Sequence, residues 1–94
     1  MSSDVHLDPV KLRTFADTLS TTVTFYRRSL EILESRLARL GSTWQDEQFR
    51  EFAREVRTTR VIIEEFVKEA LDARSKLLED AAAAEAFQKI NVRS

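Results

Sequence analysis

Leu40-Gly41-Ser42-Thr43-Trp44-Gln45-Asp46 decides how this 94-residue chain folds. It is the one short break between two long helical patterns, and it holds the only glycine and the only tryptophan. Gly41 follows the last apolar residue of the first pattern, as a left-handed glycine at C′ does. Ser42, with Gln45 three residues on, reads as a capping box for the next helix. Asp46 is a second able N-cap, with Glu47 placed for the first turn. A large aromatic in a turn is costly to leave in water, so Trp44 is expected to pack. It can close the end of its own hairpin, cap a dimer partner's helices, or face an external partner.

Upstream of the break, Asp8 is a good N-cap and Pro9 suits the first helical position, where a missing N–H costs nothing. Leu12, Phe15, Ala16, Leu19, Val23, Tyr26, Leu30, Leu33, Leu37 and Leu40 then recur at steps of three and four, one face of a helix. Downstream, Phe49, Val56, Ile63, Ala70, Leu77 and Ala84 fall seven apart, with Phe52, Phe66, Ala73 and Phe87 in the companion position. The pattern predicts helices over residues 9–40 and 46–90, joined by a Trp turn at residues 41–46, as one domain spanning residues 1–94. The short connection makes the helices antiparallel. One-to-one pairing from the turn sets Leu12 near Arg74 and leaves residues 78–90 projecting. Two helices enclose little core. The fold class expected is therefore all-α, an antiparallel helical hairpin that dimerises into a four-helix bundle. The broad arc of the second helix is the expected interface, through Phe49, Phe52, Val56, Ile63, Phe66 and Ala70.

Composition excludes several classes. One Gly and one Pro remove most sheet punctuation, and the absence of Cys removes disulfides and thiolate metal sites. No apolar run approaches the ~20 residues that span a bilayer, and the N-terminus has no signal-peptide pattern. The expected location is the cytoplasm, and a chain without cysteine would also survive outside it without oxidation chemistry. Net charge is −1, so there is no global pull toward nucleic acid. Residues 9–40 carry six Lys/Arg against three Asp/Glu, and residues 46–90 carry eight against eleven. Opposite signs suit helices lying side by side.

These features resemble the WXG-motif, ESAT-like family. The resemblance is carried by Leu7-Asp8-Pro9-Val10-Lys11-Leu12, by Leu40 to Asp46, and by the following Phe49 and Phe52. It covers about residues 8–80. It implies hairpins that dimerise as four-helix bundles and leaderless export by a bacterial type VII (ESX-like) secretion ATPase. The turn motif then comprises Gly41, Trp44 and Asp46. Two departures stand out: Asp46 occupies the family's glycine position, and no Tyr-x-x-x-Asp/Glu follows the second helix. The implied function is that of a substrate or partner in such a system, as a homodimer or with a related WXG-like protein. The alternative is a cytoplasmic helical adaptor. Phe87 and Ile90, three apart near the end of the second helix, are candidate recognition anchors.

No residue set supports catalysis, a cofactor or a metal. His6 has no partners to make a site. Glu64/Glu65 and Asp72/Lys76 read as solvated-face residues, and the Glu-x-x-His pattern of di-metal bundles is missing. Arg27, Arg28, Arg36 and Arg39 are interrupted by Glu31 and Glu34 and lack an aromatic platform for nucleic acid.

Overall fold

The computed structural model describes residues 7–93, so His6 lies outside the described residues. It contains α1 (Pro9–Gly41) and α2 (Glu47–Arg93), with no strand among the described residues. α1 starts as its sequence directs. Val10 N–H donates to the Asp8 carboxylate at 3.0 Å, and Leu12 N–H donates to the Asp8 carbonyl at 3.0 Å. Within α1 two threonine hydroxyls bond back along the helix, Thr14 donating to Val10 C=O and Thr18 to Thr14 C=O, so their polar groups are satisfied without leaving the helix.

The end of α1 corrects one expectation. Gly41 is the last helical residue and no glycine has a positive φ. The final carbonyls find other donors. Trp44 N–H reaches Leu40 C=O at 2.8 Å, Ser42 Oγ reaches Arg39 C=O at 2.7 Å, and Gln45 Nε2 reaches Gly41 C=O at 3.0 Å. With these in place a left-handed residue is not needed. Ser42 and Gln45 therefore finish α1 and do not box the start of α2. Asp46 caps α2 instead: Phe49 N–H donates to its Oδ1 at 2.9 Å.

The helices form two compact units. One is the turn unit, Thr22–Glu69. The other, the open unit, joins the α1 residues up to Thr21 with the α2 residues from Ala70 onward. In the turn unit the segments run antiparallel: Glu34 pairs with Arg60, and Arg27 with Glu64. Val23, Leu30, Val56 and Val67 are buried, and Leu37, Ala53 and Ile63 are half-buried. In the open unit Ala16, Ala70 and Ala81 are buried, flanked by half-buried Leu12, Leu19, Leu77 and Ala84. Arg13 grips Glu85 with two hydrogen bonds, Nε to Oε2 at 3.1 Å and Nη2 to Oε1 at 2.7 Å. The Nε of Arg74 is buried with no hydrogen-bond partner.

Two further expectations change. The inward companions of Val56 and Ala70 are Val67 and Ala81, one residue beyond Phe66 and Asp80; Phe52, Phe66 and Phe87 stay exposed. Small side chains let two helices approach, and a phenylalanine at each of those positions would hold them apart. Nor do residues 78–90 all project: Ala81 is fully buried and Glu85 is ion-paired. Helical side chains lean toward their own N-terminus, so Arg13 reaches past the level of its Cα to Glu85. One-to-one counting from the turn ignored that reach.

Leu30→Ala is expected to cost about 2–4 kcal/mol, because the side chain is 4% exposed and a two-helix contact cannot refill the space. Urea unfolding followed by circular dichroism measures it.

Candidate interaction surface

The three turn-motif residues come together around Phe49. A Cβ built on Gly41 would stand 2.7 Å from Phe49 Cζ, so any other residue here would displace the ring. Trp44 meets the same ring edge to face, with centroids 5.3 Å apart and planes at 64°. The Asp46 carboxylate accepts Phe49 N–H, and the Trp44 side chain also hydrogen-bonds to it. The Phe49 amide first, and Trp44 second, hold this carboxyl below the usual range. Trp44 is half-buried. Together with Gln48, Glu51, Phe52 and Glu55 it borders an open depression of about 380 Å³.

The six expected interface residues fall into two groups. Val56 and Ala70 are already buried within the chain, Phe49 and Ile63 are half-buried, and Phe52 and Phe66 are about half exposed. Phe87 and Ile90 are 64% and 67% exposed, in the open unit. Glu64 lies near Arg27 and Arg60, and Lys76 pairs with Asp80 at 3.1 Å, not with Asp72. No helix of the described residues is long and apolar enough to cross a membrane.

The two edges of the turn unit differ in chemistry, which sequence reasoning missed. One edge is polar. Arg60 donates to Glu34 twice, each at 2.6 Å, with Arg27 and Glu64 alongside at 3.9 Å. The bidentate hydrogen bond lowers the Glu34 pKa. Such exposed pairs hold geometry more than they add stability. The other edge is apolar. Tyr26 and Phe66 meet there edge to face at 6.0 Å and 88°. Leu33 and Leu40 follow Tyr26 at intervals of seven, and Phe52 precedes Phe66 by two such intervals. The seven-residue spacing of Leu12, Leu19, Tyr26, Leu33 and Leu40 was the signal available for this edge.

Trp44→Ala is expected to cost about 2 kcal/mol, below the ~3–5 kcal/mol of a fully buried indole, since the side chain is only partly buried. Thermal melts measure it. The folded pKa of Asp46 lies below its unfolded value. Its stabilisation is therefore complete above about pH 4 and is lost as pH falls through the depressed value. Glu34, Glu47 and Glu85, each lowered first by a hydrogen-bonded arginine, act in the same direction. Asp46→Asn keeps a capping oxygen without the titration, so its melting temperature should fall less steeply in acid than that of the wild type.

No family model, curated protein or solved structure matches the chain.

Proposed function

We propose that the chain is a non-enzymatic interaction protein, working as a homodimer or with a related hairpin, as substrate or partner of a type VII-like secretion system. The observation that carries the reading is the Gly41–Trp44–Asp46 turn between two long helices whose large apolar side chains remain exposed. Exposed apolar stripes on helices are the chemistry of helix-to-helix recognition. The secretion assignment is supported by the resemblance to the WXG-motif family in length, Asp-Pro start and Trp turn.

A second reading, a helical adaptor retained in the cytoplasm, is favoured by Asp46. It stands at the motif's glycine position and uses its carboxylate as a helix cap. The two readings separate by experiment. A tagged chain expressed in a bacterium with a type VII-like system is expected in the medium only when the secretion ATPase is intact. Retention in both strains favours the adaptor.

Phe87 and Ile90 are the proposed anchors for that ATPase or for a cognate partner, being exposed and three apart on one helix. Phe87→Ala with Ile90→Ala is expected to leave helicity unchanged and to abolish capture in a pull-down. Capture at wild-type level would remove these residues from the recognition element.

A further inference from the structure

The apolar edge of the turn unit has a geometry that selects its occupant. Tyr26, Leu33, Leu40, Phe52 and Phe66 are each between 41% and 46% exposed. At 150–250 Å² for an aromatic side chain, these five leave on the order of 400 Å² of apolar surface, within the range of the largest patch on a typical monomer. With the flanks beside it, such a strip approaches the ~800 Å² that each partner contributes to a standard interface. The opposite edge is closed by the Glu34–Arg60 and Arg27–Glu64 pairs and offers no comparable surface.

The flanks carry opposite charge. Three residues beyond the α1 ribbon positions lie Ser29 and Arg36. Beside the α2 ribbon lie Glu55 and Glu69 at the same offset, and Glu51 one turn from Glu55. Glu51 and Glu55 also border the depression beside Trp44 and Phe52. The α1 flank thus carries one positive charge, Arg36, and the α2 flank three negative ones, Glu51, Glu55 and Glu69. A copy of this chain turned by a two-fold axis sets its α1 across α2 of the first, so each Arg36 flank faces a Glu51–Glu55–Glu69 flank. Placing α1 on α1 would set like charges together. The edge is self-complementary, as a two-fold contact requires.

We infer that this edge of the turn unit is where a second copy of the chain docks, ribbon to ribbon, with α1 of each copy lying across α2 of the other. The assignment rests on the self-association proposed above and names its surface. The ion-paired edge, with Ile32 and Val61 on the backs of the helices, stays in water.

Footprinting with a carbene reagent, across the concentration range of association, tests this on the unmodified chain. Labelling is expected to fall at Tyr26, Leu33, Leu40, Phe52 and Phe66 and to stay constant at Ile32 and Val61. A fall at Ile32 and Val61 with the ribbon unchanged overturns the surface while self-association stands. A chain that sediments as a monomer up to high micromolar concentration overturns self-association, and this assignment with it. Phe66→Glu should sediment as a monomer with its helical circular dichroism retained, while Val61→Glu remains a dimer. Should Phe66→Glu fail to fold, the footprint decides. Arg36→Glu is expected to raise the dissociation constant severalfold, and Glu55→Arg in the same chain to restore it; no effect of either overturns the crosswise arrangement.

Discussion

The ring of Phe49 holds the turn together, and the direction of α2 depends on it. The ring lies against the bare Cα of Gly41 on one side and the edge of Trp44 on another, while its backbone N–H is fixed by Asp46. Each contact constrains a different degree of freedom. The Gly41 contact sets how closely the end of α1 and the first turn of α2 approach. The Trp44 contact keeps the connecting residues folded under the ring. The Asp46 cap fixes the residue at which α2 begins. A substitution at any one leaves the other two to hold a less defined corner, which explains why a five-residue connection can hold its geometry without a left-handed residue.

Beyond that corner, the turn unit is asymmetric about its own contact. Two helices packed on a narrow seam bury only the residues between them, here mostly valine and leucine, and leave both flanks at the surface. Chemistry then divides the flanks. Charged side chains long enough to bridge the helices take one of them, and shorter aromatic and aliphatic groups take the other. The polar flank is satisfied within the chain. The apolar flank is satisfied only in part, by the contact of Tyr26 with Phe66. This is the physical basis for reading the molecule as one component of something larger.

Much of this architecture was legible in the sequence. Asp8-Pro9 marks the start of α1, and the periodic apolar residues carry both helices to within three residues of their observed ends. The central stripe from Phe49 to Ala84 contains two of the four buried α2 positions described, Val56 and Ala70. What was not legible concerns partners across space. Phe52 and Phe66 share the spacing of a seam residue, and only the packing shows that Val67 and Ala81 take the inward place. The Gly41 reading failed because sequence shows a glycine at a helix end but not the ring that needs its empty side. The polar and apolar flanks were hidden because a one-dimensional pattern shows which residues share a face, not which residue across the contact answers them.

The open unit has a different consequence. Its buried residues are Ala16, Ala70 and Ala81, flanked by half-buried Leu12, Leu19 and Leu77, and the Nε of Arg74 is buried without a hydrogen-bond partner. Alanine contacts contribute few atoms of dispersion per helical turn, and an unsatisfied nitrogen works against closure. Segments with so little holding them open on their own, below the free energy of global unfolding. In hydrogen-exchange terms, the α1 amides up to Thr21 and the α2 amides from Ala70 are expected to exchange before those around the valine- and leucine-lined Leu30 and Val67. Local opening is therefore expected to begin in this unit.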